Sequence, residues 1–228
     1  MMLNIIAIDG PAASGKSTVA KKLAYRLGWR YLDSGAFYRA LAWKAIREGL
    51  PLDEPQVLSE LAKATEINLL SRPEGLHIFV DGQDVTQAIR EECVSEAASI
   101  LAEFPRVRGA LVGLQQEFAA QGMLVAEGRD MGTVVFPEAP FKFFLDANLE
   151  ERARRRYKEL ISRGEKASLK EVKAELAQRD KRDSTRSVAP LGRAEDALYV
   201  DTTYLGVEEV VDLVLSKLKS AKTLNNNT

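Results

Sequence analysis

The sequence predicts an α/β fold built on a mainly parallel, five-stranded sheet. Short apolar runs typical of buried strands alternate with helical periodicities along the 228 residues. A glycine-rich loop joins the first of these strands to the first helix. The charged stretch Glu127-Gly128-Arg129-Asp130 follows directly after a later strand, and open α/β sheets bind ligands at the carboxyl ends of their strands. These three observations place a ligand site at that edge of the sheet.

Composition and charge exclude several classes of protein. The chain has 32 basic and 33 acidic residues, so it lacks the overall positive field of a nucleic-acid-binding protein. A single cysteine, Cys93, excludes an internal disulfide, and a single histidine, His77, leaves no set of zinc ligands. No stretch approaches the length of a membrane span, and the start lacks the pattern of a signal peptide. We therefore expect a cytoplasmic protein without a nucleic-acid or membrane partner.

The most specific motif follows the first predicted strand, Ile5 to Ile8. The motif G-x-x-x-x-G-K-[ST] is matched by Gly10, Pro11, Ala12, Ala13, Ser14, Gly15, Lys16 and Ser17, and Thr18 leads into the helix. In such a loop the backbone N–H groups and the helix start face one anion, Lys16 reaches the outer phosphates, and the Ser17 hydroxyl suits Mg²⁺. An ordinary glycine turn is the alternative, and the position between strand and helix disfavours it. The loop predicts a triphosphate site.

Each element up to the middle of the chain follows from its own pattern. The first helix spans Lys16 to Leu27 with Gly28 as its cap, and a strand over Trp29 to Leu32 comes next. Asp33-Ser34 offers an N-cap for a helix to about Glu48. The elements that then follow are a helix over Glu54 to Lys63, hairpin strands over Ile67 to Leu70 and Leu76 to Val80, and helices over Ile89 to Ala102 and Pro105 to Ala120. The hairpin interrupts the alternation and indicates an insertion.

The remaining elements return to the alternating pattern. The last three strands of the main sheet are predicted over Met123 to Ala126, Phe141 to Leu145 and Ala197 to Asp201, with a final helix over Val207 to Leu218. A loose tail is expected for Thr223 to Thr228.

A strongly charged segment lies between the last two of these strands. Glu151 to Arg186 holds 13 basic against 7 acidic residues, in two predicted helices around a turn at Gly164. One interpretation is a solvated helical hairpin with i,i+4 ion pairs. The other is a mobile lid whose arginines reach a transferring phosphoryl group and exclude water. Arginine suits that task because its planar fork binds phosphate oxygens bidentately.

Four stretches together resemble the bacterial cytidylate kinases, a family of nucleoside monophosphate kinases. They are Gly10 to Thr18, the segment DSGAFYR from Asp33 to Arg39, the pair FPRVR at Phe104 to Arg108 and GRDMGTVVFP at Gly128 to Pro137, and RDKRD from Arg179 with RSVAPL from Arg186. The resemblance covers nearly the whole chain. GRDMGTVVFP and the DSGxxYR segment are more specific than the phosphate loop, which many NTPases share.

The resemblance implies a P-loop NTPase three-layer fold with a parallel five-stranded sheet, an inserted NMP-binding domain with a small antiparallel sheet, and a helical lid. The core would comprise about 1–35, 121–150 and 190–222, the insertion about 36–120 and the lid about 151–186. The implied reaction is transfer of the γ-phosphoryl group of ATP to CMP or dCMP with Mg²⁺. We expect a monomer.

The resemblance also implies a role for individual residues. Ser34, Tyr38, Arg39, Arg129 and Arg186 would surround the CMP phosphate, Ser99, Arg108 and Asp130 would face cytosine, and Arg179 and Asp183 would lie near the ribose. Catalysis would rest on Lys16 with the lid arginines Arg155 and Arg182. The run RARRR gives no unique register, so Arg152, Arg154 and Arg156 compete with Arg155.

Several of these residues also have a purely structural interpretation. Ser34 suits an N-cap, Tyr38 a helix core, Arg129-Asp130 a structural ion pair, and Ser99 an ordinary helix surface. Three other functions use the same phosphate loop. A GTPase would need an N-K-x-D motif, which the chain lacks. An RNA-stimulated ATPase would turn over ATP only with RNA, and a related kinase would act on UMP or shikimate.

Overall fold

The main sheet of the computed structural model is parallel and five-stranded. The model describes residues 4–72 and 75–225. The strands are β1 (Ile5–Asp9), β2 (Arg30–Asp33), β6 (Leu124–Gly128), β7 (Phe141–Asp146) and β8 (Leu198–Asp201), in the order β2-β6-β1-β7-β8. Every residue of β1 and β6 is buried, so these central strands are covered on both faces. The predicted covered parallel sheet is confirmed.

The helices begin and end close to the predicted residues. They are α1 (Lys16–Leu27), α2 (Ser34–Arg47), α3 (Pro55–Ala64), α4 (Glu92–Leu101), α5 (Pro105–Ala119), α6 (Leu149–Ser162), α7 (Leu169–Thr185) and α8 (Val207–Asn225). Gly28 ends α1 in the left-handed conformation (φ 65°), as a C-cap glycine does. The Asp33 carboxylate accepts the Ala36 N–H at 3.1 Å, which caps the start of α2.

Two sequence predictions need correction. The single helix expected over Ile89 to Ala102 is broken at Glu91, whose backbone is extended (φ −60°, ψ 145°). A short 3₁₀ turn over Ala88–Arg90 precedes the break and buries Ile89 in the main core. The tail expected from Thr223 is helical to Asn225, because α8 continues to that residue. Residues 226–228 lie outside the described residues.

The predicted hairpin forms a separate small sheet between α3 and α4. It pairs β3 (Ile67–Arg72), β4 (Gly75–Val80) and the two-residue β5 (Gln83–Asp84) in antiparallel order. The tip predicted between β3 and β4 includes residues 73–74, which lie outside the described residues. This sheet interrupts the main alternating pattern where the sequence predicted an insertion.

The charged segment forms two helices with a small core of their own. In α6 and α7, Ala153, Leu160, Val172 and Leu176 are buried together, apart from the main core. Gly164 (φ 78°) lies in the turn between the two helices, as predicted. Within residues 4–72 and 75–225 no helix is long and apolar enough to cross a membrane.

Candidate active site

The phosphate loop is fixed by contacts that only glycine permits. Gly10 has φ 154°, and a Cβ atom there would lie 2.0 Å from the Leu145 carbonyl oxygen. Gly15 (φ 90°) forms the N-cap of α1 in the left-handed conformation. The Ser14 hydroxyl is buried and has no hydrogen-bond partner among the described residues. The two glycines therefore allow the loop a backbone conformation that residues with a side chain would not adopt.

Lys16 lies at the centre of a buried charged cluster. Its ammonium donates to the Pro11 carbonyl at 3.1 Å and lies 4.0 Å from Glu127 Oε2. Burial, reinforced by the nearby Arg129, lowers the pKa of Lys16 to about 7. The cluster is therefore poised to gain an anion, whose charge would stabilise the ammonium form.

Two carboxylates end neighbouring strands beside Lys16. Asp33 of β2 and Glu127 of β6 are paired in the sheet register. Burial and then the charge of Asp33 raise the pKa of Glu127, although the Ser17 hydroxyl hydrogen-bonds to it. For Asp33, burial raises the pKa, but Arg39, which binds it at 2.8 Å, together with Lys21, the Ala36 N–H and Lys16 outweighs this effect, so the pKa of Asp33 lies below its usual value. The two neighbouring carboxyl groups therefore have pKa values shifted in opposite directions, that of Asp33 downward and that of Glu127 upward.

A cavity of about 510 Å³ extends from the phosphate loop to α4 and α5. All ten residues predicted to bind CMP line it: Ser34, Tyr38, Arg39, Ser99, Arg108, Arg129, Asp130, Arg179, Asp183 and Arg186. Ala12, Ala13, Lys16 and Ser17 of the loop line its other end. The structure therefore brings residues from distant parts of the chain into one site.

Arginines crowd the middle of the cavity, and their charges are only partly neutralised. Arg129 donates to Asp183 at 2.7 Å. Burial and then Arg129 lower the pKa of Arg179 to about 10, and its Nε has no hydrogen-bond partner among the described residues. Arg186 Nη2 is equally unpartnered, and burial lowers the pKa of that guanidinium. Buried donors without acceptors are costly, so this region is built to receive an anion with several oxygens.

The far end of the cavity is walled by a buried ion pair. Arg108 Nη2 donates to Asp130 Oδ2, and both side chains are only 4% exposed. Arg108 also donates to the Ala102 carbonyl at 3.3 Å. The Ser99 hydroxyl is buried and lacks a hydrogen-bond partner among the described residues. A guanidinium, a carboxylate and a hydroxyl thus present donors and acceptors to one small ligand group.

The arginines of α6 divide between the cavity and the protein interior. The structure places Arg155 outside the cavity, where it donates to the Thr202 carbonyl at 2.6 Å and the Ser14 carbonyl at 3.3 Å. Arg152 is also turned inward, onto the Ala147 and Ala12 carbonyls and Asp180. Arg156 is the residue of this run that lines the cavity, where it pairs with Glu92 of α4 at 2.7 Å.

Arg182 of α7, the other lid arginine named in the sequence analysis, lines the cavity. Its Nε lies 3.6 Å from Oε1 of Glu103, a glutamate just after α4 that is not among the residues lining the cavity. Sequence reasoning missed Arg163 and Glu92, which also line the cavity. The only sequence signal for Arg163 was its position in the charged segment, and the only one for Glu92 was its position at the start of a helix. It also missed Asp9, whose sole signal was a charged residue ending an apolar strand.

Comparisons with known proteins agree with this geometry. A solved gluconokinase from Sinorhizobium meliloti aligns over 100% of this chain and 98% of its own, with a TM-score of 0.51 and 15% identity, and so shares the fold. A cytidylate kinase from Geobacillus sp. is 51% identical over 92% of this chain and 94% of its own length. One from Shewanella loihica is 48% identical over 94% of each chain. The family model described as cytidylate kinase matches residues 6–220, so the chain belongs to the cytidylate kinase family.

Proposed function

We propose that this protein transfers the γ-phosphoryl group of ATP to CMP and dCMP. One observation carries the proposal: a single cavity joins a phosphate loop at one end to the Arg108–Asp130 pair and the unpartnered Ser99 hydroxyl at the other. The arginines between the two ends suit the phosphate groups that meet during transfer. The cytidylate kinase relatives support the same reaction.

The ATP phosphates would lie on the loop from Gly10 to Thr18, with Lys16 against the outer ones. The residues present fit Mg²⁺, a hard cation that binds few protein oxygens beside those of the nucleotide. The Ser17 hydroxyl would hold the ion, and its hydrogen bond to Glu127 places a carboxyl group beside it. When bound, Mg²⁺ supplies charge neutralisation on the phosphates. Among the described residues there is no three-carboxylate cage, and none is required.

The acceptor phosphate would bind the group consisting of Ser34, Tyr38, Arg39, Arg129 and Arg186. A phosphate oxygen is already ionised near neutral pH, so the attack needs no general base. The protein's contribution is therefore position and charge. Lys16 and Arg182 would stabilise the charge spread over the equatorial oxygens of the transferring group. Arg155 would act from the lid on the phosphate loop, whose Ser14 carbonyl it contacts at 3.3 Å, while Arg156 of the same run lines the cavity.

The base would be selected by its pattern of donors and acceptors. Cytosine offers an N4 amino donor with acceptors at N3 and O2, so Asp130 and Ser99 would accept from N4 while Arg108 donates to the acceptors. Uracil turns O4 toward Asp130 and N3–H toward Arg108. Each unpaired buried group costs about 1–3 kcal/mol, so two mismatches predict roughly hundredfold or greater discrimination against UMP in kcat/KM. Arg179 and Asp183 would lie along the ribose.

The test is a coupled ADP-release assay with CMP, dCMP, UMP, AMP and GMP as acceptors. The proposal expects CMP and dCMP to give the highest kcat/KM. Ser99→Ala removes one neutral hydrogen bond to the base and should lower kcat/KM for CMP roughly three- to tenfold, with UMP little changed. Ser95→Ala, one helical turn earlier and also on the cavity wall, is the matched control. Equal rates with CMP and UMP, or ATP turnover only with RNA, would refute the proposal.

We also propose the functional division of the chain. The core would comprise about 1–35, 121–150 and 190–222, the NMP-binding part about 36–120, and the lid about 151–186. The separate hydrophobic cluster of α6 and α7 supports a lid that moves as a unit. The protein would act as a cytoplasmic monomer, without nucleic acid or membrane. Sedimentation with and without nucleotides would test the monomer.

A further inference from the structure

Asp9 is a buried carboxylate that the proposed reaction does not use. It is the last residue of β1, directly before Gly10 of the phosphate loop, and is only 4% exposed. Its Oδ1 accepts the Met131 N–H at 2.7 Å and its Oδ2 accepts the Gly132 N–H at 2.8 Å. Both carboxylate oxygens are therefore committed to one short segment on another part of the chain.

That segment begins immediately after Arg129 and Asp130. Residues Met131–Val135 form a single π-helical turn, and the first N–H groups of a helical turn have no partner within it. Asp9 supplies those partners from the neighbouring strand, since β1 and β6 pair with Asp9 opposite Gly128. The carboxylate thus fixes the backbone from which the Arg129 and Asp130 side chains project.

Asp9 itself has little freedom to move. The adjoining Gly10 packs so closely on the Leu145 carbonyl that no Cβ atom fits there. On the other side, a Cβ at Gly132 would lie 3.4 Å from Asp9 Oδ2 and 3.1 Å from the Lys142 side chain. The backbone is therefore confined on the Gly10 side, and Asp9 is in ordinary contact range of Gly132, so we expect a change in Asp9 to shift the Met131–Gly132 backbone.

We propose that Asp9 is a positioning residue that sets Arg129 and Asp130 relative to the phosphate loop, so that the acceptor is held in register with the donor phosphates. This inference rests on the proposed function. It predicts that Asp9 governs base selection and turnover through Asp130 and Arg129, although it touches neither nucleotide. ATP would bind to the phosphate loop that follows Asp9, not to the Arg129–Asp130 segment. Changes in Asp9 should therefore weaken ATP binding far less than they affect CMP.

The ionisation of Asp9 allows a second test, by changing the pH. Burial raises the pKa of Asp9 to about 7, against the opposing effect of its two backbone hydrogen bonds. The charged groups that face it are Asp130, which raises that pKa, and Lys16, which lowers it. A protonated carboxyl accepts with one oxygen and turns an O–H toward the other N–H. Acidification through neutral pH should therefore weaken the hydrogen bonds from the Met131 and Gly132 N–H groups to Asp9.

The variant Asp9→Asn tests the inference, because it keeps the shape and one acceptor while opposing an NH₂ group to the second backbone N–H. We expect the CMP/UMP ratio of kcat/KM to fall roughly tenfold, the effect of one misplaced hydrogen bond. The ATP dissociation constant should stay within about twofold. Asp84→Asn is the matched control, because Asp84 also accepts a backbone N–H, from Thr86 at 2.9 Å, in the small sheet.

The pH profile separates positioning from general stability. Both acceptors carry the same phosphate, so its ionisation cancels in the CMP/UMP ratio. In the unmodified protein the ratio should fall as pH drops from about 8 to 6, and in Asp9→Asn it should be low and flat. Asp9→Glu, which keeps the charge but lengthens the arm, should restore the pH dependence without the full ratio.

Two results would overturn the inference. One is an unchanged CMP/UMP ratio in folded Asp9→Asn, and the other is an equal loss of ATP and CMP affinity. Either result in a protein that still phosphorylates CMP would refute the role of Asp9 alone. No CMP phosphorylation by the unmodified protein would instead refute the proposed function.

Discussion

Asp130→Ala should lower the free energy of unfolding more than the removal of any exposed acidic residue from an ion pair. Asp130 and Arg108 are each 4% exposed, so the change leaves a buried guanidinium without its counter-charge. Breaking a buried pair on one side costs about 3–5 kcal/mol. Burial and then repulsion from Arg108 lower the pKa of Arg186, whereas Asp130 raises it, so loss of Asp130 also removes an anion that both arginines share. We therefore expect the upper part of that range.

Urea unfolding at neutral pH without nucleotide measures this loss. The double variant Arg108→Met with Asp130→Leu replaces both charges by apolar groups and should be less destabilised than Asp130→Ala alone, because the buried uncompensated charge is gone. The control is Glu159→Ala, which is 45% exposed, pairs with the partly exposed Arg156 and Arg163, and should cost no more than about 1 kcal/mol. A loss below about 1 kcal/mol for Asp130→Ala, or strictly additive effects in the double variant, would refute the reasoning.

Three further predictions follow from single residues. ATP binding at about pH 8 should take up a proton, because the pKa of Lys16 is lowered to about 7 and a bound phosphate would favour the charged ammonium form. Calorimetry in buffers of different ionisation enthalpy measures this proton uptake. The uptake should vanish at about pH 5.5 and in Lys16→Met. Gly10→Ala should cost more than about 4 kcal/mol in unfolding free energy, against about 1–2 kcal/mol for the left-handed but unobstructed Gly28→Ala. Arg182→Ala should lower turnover far more than it weakens CMP binding without ATP, while exposed Arg154→Ala changes neither; equal losses in both measurements would place Arg182 in the CMP site.

The main sheet could be predicted because each of its strands leaves a local trace. Ile5 to Ile8 is an apolar run of strand length, Phe141 to Leu145 is apolar except for Lys142, and glycine or charged residues mark their ends. The break at Glu91 left no such trace, since the residues around it favour a helix. It depends on burying Ile89 in the main core, which is a tertiary contact. A local sequence pattern cannot reveal a helix break that depends on packing against residues distant in the sequence.

The site could be predicted only as far as residue types and motifs identify it. The ten CMP residues came from the resemblance, and the structure brings them together. The run from Arg152 to Arg156 shows the limit, because neighbouring positions on a helix point about 100° apart and the sequence does not reveal which side faces the cavity. Thr202 and the Ser14 carbonyl decide that Arg155 turns inward. Both partners belong to loops that the charge pattern of α6 could not locate.

The glutamates opposite Arg156 and Arg182 have a consequence for how the cavity exists without nucleotides. A chain that gathers so many guanidinium groups would otherwise need anions from the solvent to hold them together. Glu92 on the cavity wall and Glu103 just after α4 serve as counter-ions within the chain for Arg156 and Arg182. Both glutamates are largely exposed, and exposed ion pairs are worth little, so a phosphate can take their place without a large loss. If nucleotide phosphates bind Arg156 and Arg182, they would replace glutamate carboxylates that already neutralise these arginines.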